Sequence, residues 1–186
     1  MSRECWLRTN SRVASLGFLV PGLLIMAGVL LILLAPGSAG FSVWQAAGVA
    51  LLAAAALMAV AVVYMLRLPR LAYRDGELLV YLRGFRPEAV PIEKVEVFFL
   101  GQTESMMPGK GGVSAKTSAV VVRLAEKATA WHARDVSTAL GKWQDGYITI
   151  RGTWCEPISP DVLKQLNDRL IAAHRRRQES EKAAAP

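Results

Sequence analysis

The sequence predicts a membrane-embedded α-helical hairpin followed by a small antiparallel β domain that ends in one α-helix. Three observations carry this prediction. Two apolar runs without any charged residue, Val13–Leu34 and Val43–Leu66, lie close together near the N terminus. Beyond them the hydrophobic period shortens to two residues in a series of short segments. A final amphipathic stretch returns to a helical period.

Each apolar run exceeds the roughly 18–20 residues that cross a hydrocarbon core of about 30 Å at a rise of about 1.5 Å per residue. The turn between them, Ala35–Ser42 (APGSAGFS), is uncharged. Arg3, Arg8 and Arg12 precede the first run, and Arg67, Arg70 and Arg74 follow the second. Basic flanks mark the cytoplasmic side, so an integral protein of the inner (cytoplasmic) membrane with both termini cytoplasmic is expected. Ala39 and its small neighbours also suit a signal-peptide cleavage site. However, the first run is longer than a signal-peptide core and a second span follows it.

Within the hairpin, Pro21 and Gly22 fall near the start of the first helix. Ala46, Ala50, Ala53 and Ala54 share a face of the second, with Gly48 nearby, and such a face packs on the first helix or on a partner. Alanine-rich membrane composition produces the same pattern. Trp44 and Tyr64 sit near opposite ends of the second helix, where amphipathic rings settle at interfaces. No ionisable residue lies inside either span, which disfavours a channel, proton relay or transporter and leaves an anchor.

The chain has 186 residues, a formal net charge of +7 and a mean hydropathy of +0.30. Its basic residues cluster beside the spans, so the positive balance points to membrane topology rather than nucleic acid. Four regions follow: an N-terminal cytoplasmic segment (1–12), the hairpin (13–66), a cytoplasmic domain (67–177) and a frayed tail (178–186). Cys5 and Cys155 have no CxxC spacing and read as reduced thiols.

In the domain, Leu71–Arg74 and Leu78–Leu82 read as strands joined by an Asp75-Gly76 turn. Glu88–Pro91 and Ile92–Leu100 follow, the latter with Val95, Val97 and Phe99 on one face. Gly101–Ser118, rich in glycine and without periodicity, reads as a long exposed loop. Ala119–Leu124, Thr129–Arg134 and Tyr147–Arg151 are further strands, with a polar loop over Val136–Gly146. Ser159 as N-cap, Pro160 at the first helical position and Asp161 open the C-terminal helix. Leu163, Leu166 and Leu170, joined by Val162 and Ile171, form its apolar stripe.

About seven short strands and a C-terminal helix form the order of a pleckstrin-homology-like (PH-like) barrel. The segments YRDGELLVYLRGFRPEAVPIEKVEVFFL and YITIRGTWCEPISPDVLKQLNDRL carry the likeness. Over Leu68–Arg176 the chain resembles the PH-like domains attached to membrane helices in bacterial proteins. The resemblance implies a β-barrel of about seven strands capped by the helix, and a fold widely used for binding. It carries over no headgroup site, because the first turn, Arg74-Asp75-Gly76-Glu77, is short and partly acidic.

Lys110–Thr117 (KGGVSAKT) has a Lys-Thr ending like that of a phosphate-binding loop. Lys110 and Ala115 stand where that motif needs glycine, and a β-branched strand follows instead of a helix. Arg67, Arg70, Arg83 and Arg86 are candidate contacts for anionic lipid. Cys155 and His132 would make a nucleophilic dyad only if the fold brought them together. Phe98, Met106, Met107 and Trp143 are candidates for an exposed apolar surface that meets a protein partner. The expected function is a non-catalytic membrane scaffold or accessory subunit, contacting lipid through its helices and binding a protein partner or itself. Anionic-lipid sensing is the alternative, and an enzyme using the 110–117 loop or Cys155 is a distant third. No cofactor or metal is expected.

Overall fold

The computed structural model describes residues 3–10, 15–34, 43–108 and 114–184, without side-chain detail at 104–108, 114–116, 181 and 184. The chain divides into two compact units, Ser11–Arg67 and the combination of Met1–Asn10 with Leu68–Pro186.

The first unit is a helical hairpin. A single 3-10 turn, Leu16–Phe18, leads into α1 (Leu19–Leu33), and α2 spans Val43–Arg67. Leu16–Leu33 and Val43–Arg67 are both long and apolar enough to cross a membrane, each with a mean hydropathy of 2.6 over an 18-residue stretch. Pro21 lies in the first turn of α1, where its missing N–H costs no helical bond.

The seam runs through glycine. A Cβ on Gly48 would lie 2.8 Å from the Gly28 carbonyl oxygen and 2.6 Å from Ile32 Cγ1. Gly48 and Ala55 are the buried residues of α2, whereas Ala46, Ala50, Ala53 and Ala54 are exposed. The expected alanine face is therefore not the one that packs on α1. Gly48, Leu52, Ala55 and Ala59 keep a spacing of four and three residues, which holds one side of the helix against α1. The turn 35–42 lies outside the described residues.

Among the described residues, the second unit holds eight strands in two antiparallel sheets rather than one barrel of seven. The first sheet is β1 (Glu4–Leu7), β2 (Leu71–Arg74), β3 (Glu77–Arg83) and β4 (Arg86–Pro91), in that spatial order. The second contains β5 (Val95–Pro108), β6 (Ser114–Leu124), β7 (Gly141–Gln144) and β8 (Tyr147–Arg151), in the order β5-β6-β8-β7. Helix α3 (Pro160–Ala184) follows.

Trp6, Leu78, Val80 and Leu82 from the first sheet share one core with Phe98, Val120, Val122, Ile148 and Ile150 from the second. The α3 stripe closes that core with Leu166, Leu170 and Ala173. Leu79 and Tyr81, on the other face of β3, are buried in a smaller cluster with Leu68 and Ala72. Strand β3 is thus buried on both faces.

The N-terminal segment is part of this unit. β1 pairs antiparallel with β2, Glu4 opposite Tyr73 and Leu7 opposite Leu71. The helical hairpin is therefore an insertion between two neighbouring strands of one sheet. Leu7–Asn10 and Leu68–Arg70 converge at one end of the unit, where the Arg70 amide donates to the Leu7 carbonyl and the Thr9 hydroxyl to the Leu68 carbonyl. That end, called here the tether end, also holds Trp154 and Cys155. Asn10 N donates to the Trp154 carbonyl, and Thr9 bridges Cys155.

Several expectations change in detail. Much of Gly101–Ser118 is strand, because β5 and β6 run on as a long hairpin with Gly101 opposite Ala119 and Glu104 opposite Lys116. Thr129–Trp131 is a 3-10 turn, not part of a strand. β7 lies inside the expected Val136–Gly146 loop. Asp145 and Gly146 both have positive φ, as do Asp75 and Gly76, so the same tight turn closes β7–β8 and β2–β3. Helix α3 continues to Ala184 through most of the expected tail.

Candidate functional site

Phe98 and Trp143 are core residues, exposed to only 2% and 1%. The expected alternation on β5 fails at a bulge between Val95 and Val97, which shifts the register against β6. Val95 and Phe98 then point inward, while Val97 and Phe99 point out. Trp143 is fixed by its indole N–H, which donates to the Trp131 carbonyl at 2.6 Å; the Trp131 indole donates in turn to the Ala89 carbonyl at 3.1 Å. Met106 and Met107 belong to β5 by backbone, and their side chains lie outside the described residues.

The four arginines separate. Arg70 is 9% exposed, and its Nε donates to the Trp154 carbonyl at 3.2 Å, so it fastens the tether end and does not face lipid. Burial lowers its affinity for the proton, partly opposed by the Cys155 thiol beside it. Arg67 is exposed at the end of α2. Arg83 and Arg86 flank the exposed β3–β4 turn, where Gly84 has positive φ and Phe85 is exposed. Because Leu71 pairs with Val80, this turn overhangs the start of β2 and lies at the tether end. Arg83 pairs with Glu88 at 3.4 Å and Asp135 at 3.7 Å; Arg86 has no ion pair among the described residues.

Cys155 is buried, its Sγ donates to the Arg151 carbonyl at 3.4 Å, and burial pushes the thiol up to about 12 despite the neighbouring Arg70 charge. A thiol held protonated is a weak nucleophile. The His132 ring instead meets the Glu126 carbonyl at 3.1 Å. Residues 110–113 of the Lys110–Thr117 stretch lie outside the described residues, and Ser114–Thr117 open strand β6 rather than a helix. Among the described residues, no cluster of His, Cys, Asp and Glu is arranged to hold a metal ion.

The most developed surface feature lies where α3 crosses β5. Ser159 caps α3, its Oγ accepting from Val162 N at 3.3 Å. Further along, the Asn167 amide sits on the outer edge of β5. Phe98 N donates to Asn167 Oδ1 at 3.0 Å, and Asn167 Nδ2 donates to the Phe98 carbonyl at 2.9 Å. Arg169 donates to the Cys5 carbonyl at 3.0 Å, and His174 Nε2 meets the Ile92 carbonyl at 3.0 Å, so α3 is pinned to both sheets. Trp6 supports it from below, stacked on Tyr73 at 5.4 Å and edge-on to Phe98 at 6.1 Å.

This crossing leaves a groove of about 460 Å³ lined by Glu96, Val97, Asn167, Leu170, Ile171, His174, Arg175 and Gln178. Its apolar walls are exposed: Ile171 to 51% and Val97 to 37%. Phe99 and Tyr147 continue the apolar surface on the outer face of the second sheet, edge to face at 6.3 Å. Sequence periodicity missed Val97 and Ile171 because each reads as part of an inward stripe; the bulge turns Val97 out, and Ile171 lies on the exposed side of α3. The groove offers apolar contact flanked by one carboxylate, one guanidinium and amide groups, which suits recognition of a polypeptide.

Neither a protein-family model nor a curated protein nor a solved structure matches this chain.

Proposed function

We propose that this protein is a non-catalytic, membrane-anchored scaffold or accessory subunit whose sheet domain, used as a PH-like module, binds a protein partner in the α3–β5 groove. The hairpin lies in the inner membrane with its basic flanks and both termini in the cytoplasm. The observation that carries this reading is the pair Val97 and Ile171, exposed on facing elements of a groove whose floor is the packed core. Large apolar side chains left in water on a rigid surface favour burial against a partner.

Site-specific photo-crosslinking in the full chain tests it. A crosslinker at Ile171 captures one discrete partner, or a second copy of the chain, and Val97→Asp abolishes the adduct without lowering the thermal midpoint. A probe at Lys127 captures nothing. Equal capture at both positions contradicts the reading.

A second reading, anionic-lipid sensing, is favoured by the β3–β4 turn. Phe85 and Arg86, which has no ion pair among the described residues, lie at the tether end, where an amphipathic turn can meet headgroups. Alkaline extraction of membranes tests the anchor that both readings share: the chain stays with the pellet, and release into the supernatant contradicts it.

A further inference from the structure

The polar groups along the α3–β5 groove are satisfied within the domain, with one charged exception. The Glu96 carboxylate is taken by Arg123, whose Nε lies 3.0 Å away on β6. The Asn167 amide is engaged on both sides, by Phe98 and, through Nδ2 at 3.1 Å, by the Leu163 carbonyl. His174 is held at the Ile92 carbonyl. Arg175 is the exception. It is exposed, and its guanidinium has no hydrogen bond, ion pair or ring partner among the described residues. Glu179, one turn further along α3, makes no ion pair with it.

The run Arg175–Arg177 explains why this charge is spare. Successive helical residues project roughly 100° apart around the axis. Arg176 lies over the Tyr73 ring at 5.7 Å and within 3.9 Å of Glu4, and Arg177 donates to Glu93 at 2.8 Å, so both turn to their own domain. Arg175 points to a third side, one turn beyond Ile171 and on the same face of α3. Val97 and Ile171 therefore form an apolar wall that ends in an uncompensated cation. Water solvates that cation while the groove is open. An occupant that covers the wall removes part of this water, which costs free energy unless the occupant supplies a counter-charge.

We propose that the groove takes an acidic segment of a partner polypeptide, with a large apolar side chain between Val97 and Ile171 and an Asp or Glu carboxylate on Arg175. This rests on the groove being a protein-binding site and adds the chemistry of the partner. A guanidinium meets a carboxylate through two parallel N–H groups, so Arg175 sets the register of the segment as well as its charge. A basic segment of the same apolar content is rejected by like charge.

Selection from a random peptide library displayed on phage, against the full chain in phosphatidylcholine nanodiscs, tests this. The Ile171→Ser protein removes peptides that bind elsewhere. The Ile171-dependent peptides carry Asp or Glu within about four residues of a large apolar residue, matching the spacing from Ile171 to Arg175. Arg175→Gln weakens their binding about fivefold, as for one partly exposed ion pair. Lys127→Gln, the same charge change away from the groove, leaves it unchanged. Selection on the Arg175→Glu protein exchanges the acidic preference for Lys or Arg. Ile171-dependent peptides without an acidic bias, or an acidic bias that survives Arg175→Gln, overturn the acidic partner and leave the groove as a binding site. Absence of any Ile171-dependent peptide overturns both. Concentration-dependent dimerisation abolished by Ile171→Ser makes the occupant a second copy and also overturns the acidic partner.

Discussion

The Asn167 side chain occupies the place of a neighbouring strand at Phe98, accepting from its N–H at 3.0 Å and donating to its carbonyl at 2.9 Å. β5 is an edge strand, and an edge presents unpaired backbone groups to other chains. A single amide on α3 closes that edge at the level of the core and fixes the helix to the sheet. The groove is built around this contact.

Asn167→Ala should therefore lower the stability of the full chain by about 1–3 kcal/mol, because both Phe98 backbone groups lose their partner. Thermal unfolding followed by tryptophan fluorescence in detergent reads this change. Asn167→Asp keeps the acceptor and loses the donor, so it should fall between the two.

The hairpin seam makes a paired prediction. Gly48→Ala places a Cβ against the Gly28 carbonyl and Ile32, whereas a Cβ on Gly22 meets nothing within 4 Å. Gly48→Ala should destabilise the hairpin by about 1–3 kcal/mol in a steric-trapping measurement. Gly22→Ala should leave it unchanged.

Cys155 sets a pH dependence. The folded thiol holds its proton up to about 12, whereas the ordinary value is 9.0. Between these pH values the unfolded chain binds fewer protons than the folded one, so stability falls as pH rises. The slope reaches about 1.4 kcal/mol per pH unit. Burial of Arg70 acts in the opposite sense, and comparison with Cys155→Ala separates the thiol's share. Iodoacetamide at pH 8 should label exposed Cys5 and spare Cys155 until the protein is denatured.

At the groove, Ile171→Asp should abolish partner crosslinking while changing stability by less than about 0.5 kcal/mol, since Ile171 is half in water and outside the core. Leu170→Asp, one residue away and buried, should unfold the domain instead. Pulse proteolysis distinguishes the two.

The apolar runs, the Asp75-Gly76 turn and the start of α3 at Ser159-Pro160 were legible because each is a local signal. What escaped depends on distant pairing. Glu4–Leu7 is too short and too close to the membrane run to read as a strand, and its partner Leu71–Tyr73 is separated from it by both helices. Asp145-Gly146 carries the same turn signal as Asp75-Gly76, but β7 is short and contains Gly141, so strand propensity is weak there. The bulge after Val95 reversed the faces of Val97 and Phe98, turning an expected surface residue into core and an expected core residue into a groove wall. A one-residue shift in a strand exchanges its two faces, and nothing local in IEKVEVFFL marks it.

The central claim is that the hairpin is inserted between two paired strands, so that both connections to it leave the same end of one sheet. Cys5 lies opposite Ala72 in that pairing. Ala72→Cys, with native Cys5 retained and a protease site placed between residues 35 and 42, gives a direct measurement. After oxidation and cleavage, the account predicts that the two fragments stay joined on a non-reducing gel and separate on reduction. Fragments that separate without reduction would contradict it, since β1 would then not be paired with β2.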